Sequence, residues 1–341
     1  MDLGRKDQEQ ATEAGWRRSA PPAGLTRLAL LTAGSTFALI FLGGLVTSTG
    51  SALAVPDWPL AFGRLVPRLV GGVRFEYTHR VVAAVVVLLT CWLAAWAAWS
   101  EPRVWVRRLA WGAVGLVVAQ AVLGGITVLY GLPLAVAVTH AAVAQGFFAL
   151  VVGLATVLDP AWSHPGGGPE PARAEAAARL CGAVSVAAYL QILLGAVMRH
   201  LGAGLAIPDF PLSFGRLVPP FETVAVEVNF AHRVGALAVT LLALWASVRV
   251  LRLEGAGRFL CRPARALLAI VALQLCLGAF TVWSGRAVIV TTAHVATGAA
   301  VLAASVMLTL RCWARARGHG QEAVAGAPAG AFARGADALQ A

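Results

Sequence analysis

Charge is scarce in this chain. Only 13% of its 341 residues are Asp, Glu, Lys or Arg, while 59% are apolar. A soluble domain carries about 25% charged residues, so a core of this size could not hide the apolar surface from water. Cysteine is also sparse. The five residues Cys91, Cys181, Cys261, Cys276 and Cys312 fall within apolar runs or beside their cytoplasmic flanks, and none lies in an expected outer loop. No structural disulfide is therefore expected. Acidic residues are too few to balance the basic ones, and the net charge is +11. Nucleic-acid binding does not follow, because the basic residues sit in short segments between long apolar stretches.

Those stretches decide the class. A bilayer is crossed by about 20 apolar residues in a helix. Residues 28–46, 81–100, 180–198, 266–285 and 287–310 each meet that need. Residues 109–158 contain no Asp, Glu, Lys or Arg and are too long for one span; Gly131, Leu132 and Pro133 break them into two. Residues 234–248 reach spanning length only if helix from about Asn229 belongs to them. The expectation is an all-α polytopic membrane protein with eight transmembrane helices.

Lys and Arg set its orientation. With the N-terminus inside, 19 of the 27 basic residues fall on inner segments and eight on outer ones. The positive-inside rule places both termini in the cytoplasm. The first span is too long for a cleaved signal peptide. The expected division is a disordered tail over 1–24, a four-helix half over 25–158, a cytoplasmic linker over 159–179, a second half over 180–312 and a disordered tail over 313–341.

The halves repeat. Residues 53–67 (LAVPDWPLAFGRLVP) recur as 205–219 (LAIPDFPLSFGRLVP), identical at 12 of 15 positions. His79-Arg80 recurs as His232-Arg233, and Gln120, Gly124, Thr127 and His140 recur as Gln274, Gly278, Thr281 and His294. Four spans per half is an even number, so both halves enter the membrane in the same direction. The architecture expected is two parallel-repeat four-helix bundles. The prolines of 56–67 forbid a continuous helix there, and Trp58, Leu60, Phe62 and Leu65 are too apolar for a free loop. Each copy is expected to cap the outer mouth of its bundle.

Ionisable residues within a membrane are costly and point to function. His79, His140, His232 and His294 open the second, fourth, sixth and eighth spans, all at the outer side. Each half thus offers two imidazoles from two helices. That pair suits a planar macrocycle gripped from both faces, with haem iron as the natural occupant. Zinc or copper would want three or four ligands, and no third histidine or cysteine lies at that depth. A histidine hydrogen-bonded between helices is the plainer alternative, and it serves a lone residue better than two duplicated pairs. Gly43, Gly44, Gly124, Gly125, Gly146, Gly195, Gly278 and Gly298 would let helices approach each other or a flat ring. Arg80 and Arg233 could pair with a haem propionate or snorkel to the interface. His164, His200 and His319 fall outside the duplicated set.

The halves differ at one position. Glu76 precedes His79 by three residues, whereas its counterpart is Asn229. A carboxylate beside a histidine can move protons or stabilise positive charge, and an amide does neither well. Chemistry is therefore assigned to the first half and electron transfer to the second.

The residues Gly43-Gly44-Leu45-Val46-Thr47, Pro56-Asp57-Trp58-Pro59, Glu76-Tyr77-Thr78-His79-Arg80, Thr139-His140, Ala231-His232-Arg233 and Thr292-Ala293-His294 resemble those of the haem A synthase family. The resemblance covers about residues 28–310. It implies oxidation of the C8 methyl of haem O to a formyl group through successive hydroxylations, with molecular oxygen as co-substrate. It also implies that His79 and His140 frame the haem O site with Glu76 assisting, and that His232 and His294 ligate haem b. The implied partners are a haem O-forming farnesyltransferase, an unidentified electron donor and a terminal oxidase that receives the product, in a cell membrane, with a homo-oligomer left open and no nucleic acid. Many members carry a cysteine pair around Pro-Asp-Trp-Pro; here Val55 and Ala61 stand at those places, so no redox role passes to that loop. Rival readings are a di-haem electron carrier and a non-catalytic haem carrier or assembly factor.

Overall fold

The computed structural model describes residues 22–163 and 168–325. The disorder expected of residues 1–21 and 326–341, and the position of His164, lie outside them. The long helices are α1 (Ala23–Ser48), α2 (Val73–Ser100), α3 (Val104–Leu129), α4 (Leu134–Val157), α5 (Pro171–His200), α6 (Val224–Leu251), α7 (Gly257–Trp283) and α8 (Val288–Ala325). Pro160–Ser163 and Ala203–Leu205 form single helical turns. All eight long helices are apolar and long enough to span a bilayer, so the chain is a multi-pass membrane protein. The break between α3 and α4 falls at Gly131 and Leu132, both at positive φ, followed by Pro133.

Several helices outrun their charge-free windows. α2 starts at Val73 and α6 at Val224, where the Thr223 side chain accepts a bond from Val226 N. The apolar windows stop at Arg80 and Arg233, but helix continues through both because each guanidinium finds acceptors at the membrane edge. α5 starts at Pro171, with proline in its favoured first turn. Part of the segment read as linker is thus helical. α8 likewise runs past residue 312, to Ala325.

Within each half the helices form a closed ring. α1 packs on α2, α2 on α3, α3 on α4 and α4 on α1; α5 to α8 repeat the pattern. α2 and α4 therefore sit diagonally across the first ring, and α6 and α8 across the second. α8 packs on α1 and α4, and α5 packs on α4, so these four helices form the seam. Leu25, Leu93, Leu154 and Leu158 fill one end of the first ring, and Leu260, Leu267, Leu302 and Leu308 fill the same end of the second. Lipid is as apolar as leucine, so close van der Waals packing holds these ends together. The other end, beneath the loops 49–72 and 201–223, is where the histidines lie.

Candidate functional site

Longer helices place His79, His140 and His294 in the second turn and His232 in the third, rather than at the very start. Each ring lies against a glycine of the preceding helix. A Cβ built on Gly43 would stand 3.1 Å from His79 Cε1, on Gly124 3.3 Å from His140 Cε1, on Gly195 2.9 Å from His232 Cε1, and on Gly278 3.1 Å from His294 Cε1. The other expected glycines do different work. Gly44 packs on Thr292 and Val295, Gly125 underlies the Trp58 ring, Gly298 lies by Gln274, and Gly146 has no neighbour within 4 Å of a Cβ.

The two histidines of a half come from diagonal helices and lie within electrostatic reach of each other. All four keep partial exposure, as side chains lining a slot do. Nδ1 of His79, His140 and His294 is buried without a hydrogen-bond partner. No group of three or more metal-ligating side chains occurs among the described residues. Two imidazoles across a ring, backed by bare backbone, fit a flat iron macrocycle with two axial positions. They do not fit a tetrahedral zinc site.

Glutamines hold two of the rings. Gln120 Nε2 is 3.1 Å from His140 Nε2, and Gln191 Nε2 is 2.9 Å from His232 Nδ1 and donates to the His232 carbonyl at 2.7 Å. The Gln191 amide occupies the space a Cβ on Gly235 would take. In the first half the matching residues are Leu39 and Val82, so His79 has no such clamp. Gln191 escaped the sequence reading because the repeat changes there. The available signal was its spacing: Gln120, Gln191 and Gln274 each precede a histidine-facing glycine by four residues. His200, set aside earlier, lies within electrostatic reach of His140.

Glu76 is in the first turn of α2 and only 4% exposed. Its Oε2 accepts from Val55 N at 2.8 Å and its Oε1 from Arg80 Nη2 at 2.6 Å. Asn229 occupies the same place in α6, accepting from Arg233 Nε at 2.9 Å and donating to Ala203 O at 2.8 Å. Position 76/229 therefore ties helix to loop in both halves, and only the charge differs. Each Glu76 oxygen still has a lone pair for a proton or a further donor.

Arg80 and Arg233 serve the loops. Arg80 Nη1 donates to Asp57 O at 2.7 Å and Leu60 O at 3.0 Å, and its Nη2 to Val55 O at 3.1 Å. Arg233 repeats this with Asp209 O, Leu212 O and Ile207 O at 2.7, 2.9 and 2.9 Å. A haem propionate would have to share donors already engaged by these carbonyls. Within each loop an aspartate closes a tight turn. Asp57 accepts from Phe62 N at 2.7 Å and Gly63 N at 2.8 Å, and Asp209 does the same with Phe214 and Gly215. Phe62 and Gly63 are both at positive φ, as a type I′ turn requires. These backbone donors hold both aspartates below the ordinary carboxyl value of 3.8. Val55 and Ala61 are buried in the loop, so apolar packing fills both places. The Trp58 ring seated on Gly125 puts the loop over the end of α3 beside the His140 site, as a cap would lie.

Comparison with known proteins places this geometry in context. The profile of the cytochrome oxidase assembly protein family matches residues 69–152 and 145–306. A haem A synthase of Symbiobacterium thermophilum is 36% identical over 252 residues, 70% of this chain and 79% of that protein. One from Shouchella clausii is 32% identical over 65% of this chain and 74% of its own length. One from Halalkalibacterium halodurans is 29% identical over 81% and 90%.

Proposed function

The chain belongs to the cytochrome oxidase assembly protein family, and from that membership we propose that it is a haem A synthase, oxidising the C8 methyl of haem O to the formyl of haem A. The observation that carries the division of labour is the pair of diagonal histidines in each ring, with a carboxylate beside only one pair. His79 and His140 frame the haem O site in the first half, residues 25–158. His232 and His294 hold a resident haem b in the second half, residues 180–312. Bound there, haem b supplies one-electron redox chemistry, and molecular oxygen is the co-substrate. Gln191 and Gly195 orient the His232 ring from two sides. Glu76, fixed by Val55 N and Arg80, presents a negative charge and a proton-accepting oxygen near His79. The two loops, pinned by Arg80 and Arg233, keep water from the mouths of the slots.

The excess of basic residues at the end opposite loops 49–72 and 201–223 supports an orientation with both termini in the cytoplasm of a cell membrane. The reading also calls for a farnesyltransferase that delivers haem O, an electron donor and a terminal oxidase as recipient, and it is compatible with a homo-oligomer. Co-expression with a haem O-forming farnesyltransferase, followed by chromatography of extracted haems, tests it. Haem A is expected. Unmodified haem O alongside fully folded protein would overturn it in favour of an electron carrier.

A further inference from the structure

Arg199 is the penultimate residue of α5, where the first half has Thr47. Its Nη2 crosses the seam, donating to Gly44 O at 3.0 Å and Ser48 Oγ at 2.7 Å of α1. Ser48 Oγ in turn accepts from Thr292 Oγ1 of α8 at 3.0 Å. Gly44 follows the glycine that backs His79, and Thr292 precedes His294 by two residues. His200, next in the chain, reaches His140 electrostatically. One guanidinium therefore stands where the two histidine slots meet.

Among the described residues this cation has no counterion. The ion pairs among the described residues are Glu76–Arg80, Glu101–Arg103, Glu170–Arg173, Glu175–Arg179 and Asp159–Arg311. Arg199 joins none of them, and the guanidinium of Arg286, within electrostatic reach, repels it. Its Nε and Nη1 meet no acceptor among the described residues. A partly buried charge without a partner is costly unless a ligand supplies one. A guanidinium with unengaged N–H donors can give a carboxylate a charge-assisted hydrogen bond.

We propose that Arg199, backed by Arg286, is the anion anchor of the site and takes a propionate carboxylate of the tetrapyrrole bound between the histidines. Arg80 and Arg233 are engaged by loop carbonyls, whereas Arg199 Nε and Nη1 have no acceptor among the described residues. The assignment rests on the haem reading above and concerns which residue holds the macrocycle's acidic edge.

The test is titration of haem-depleted full-length protein in detergent with iron protoporphyrin IX and with its dimethyl ester, followed by Soret absorbance. Wild-type protein should favour the free acid. Arg199→Gln should reduce that preference by about 10-fold, the lower end for losing a charge-assisted bond. Arg199→Lys should keep part of it. Ser48→Ala removes one of the two bonds to α1 but not the charge, and should leave the preference intact. In His79→Ala and His232→Ala backgrounds, the preference should persist only where the slot served by Arg199 is whole, which identifies the half. An unchanged acid-to-ester ratio in Arg199→Gln would overturn the assignment while leaving the haem reading standing. Failure of wild-type protein to take up either form would overturn the haem reading itself.

Discussion

Alanine at the four histidine-facing glycines should separate haem binding from folding. Ordinary carbon–carbon contact begins near ~3.5 Å. Against that, a new Cβ would intrude on the ring by about 0.6 Å at Gly195, about 0.4 Å at Gly43 and Gly278, and about 0.2 Å at Gly124. Helix propensity favours alanine over glycine by about 1 kcal/mol, and overpacking costs about 1–3 kcal/mol. Fold stability should therefore change little. Ligand geometry is less forgiving, since metal distances hold to about ±0.2 Å. His232 also cannot slide away, because Gln191 grips both its Nδ1 and its carbonyl. His79 has no such restraint and can tilt. Gly195→Ala should thus weaken haem retention by roughly 10–100-fold, or about 1.4–2.8 kcal/mol. Gly124→Ala should be nearly silent, with Gly43→Ala and Gly278→Ala between. Haem per protein by pyridine haemochrome, with thermal unfolding measured in parallel, decides it. Equal haem content in the Gly195 and Gly124 variants would refute the reasoning, as would haem loss that merely tracks loss of folded protein.

Three further outcomes follow from the same geometry. Glu76→Gln keeps shape but can accept on one side only, leaving Val55 N–H or Arg80 facing an amide NH2; loop stability should fall by about 1–3 kcal/mol. In that variant haem A formation should cease while second-half haem b remains, and a wild-type product yield by chromatography would remove Glu76 from the chemistry. Gln191→Leu imports the first-half residue and should speed haem b loss by about 10-fold, as loss of a ligand's outer partner does; unchanged dissociation into apomyoglobin would make that bond incidental. The Asp57 and Asp209 carboxyls lie below 3.8 when folded, so their support of the turns is complete above that pH and is lost only as pH falls through the lowered values. Limited proteolysis of the loops should show acid opening only below 3.8, whereas Asp57→Asn should loosen its loop at neutral pH; identical cleavage of variant and wild type would count against the turn-closing role.

The two halves have diverged along one line. Glu76 corresponds to Asn229, Leu39 to Gln191, and Val82 to Gly235. The first set puts charge by a histidine and leaves its ring unclamped. The second removes the charge and fastens the ring. A ligand meant to stay is served by rigid second-half contacts, whereas a substrate that must enter and leave is better served by the looser first half.

Composition and periodicity alone determined the membrane class, the eight spans and the break at residues 131–133, and they singled out the repeated segments and the four histidines as candidates. These follow from what each side chain costs in hydrocarbon, which is a property of the residue and its immediate neighbours. The helix starts at Val73 and Val224, the work of Arg80 and Arg233, the clamp by Gln191 and the unpaired state of Arg199 were decided only in three dimensions. Arg80 was a candidate for a propionate until the loop carbonyls of Val55, Asp57 and Leu60 came within reach, 20 to 25 residues away in the chain. Sequence states that a guanidinium at that depth needs acceptors. Only the path of the backbone says how many the protein provides: for Arg80 the carbonyls of one loop, for Arg199 two oxygens of α1 on Nη2 alone.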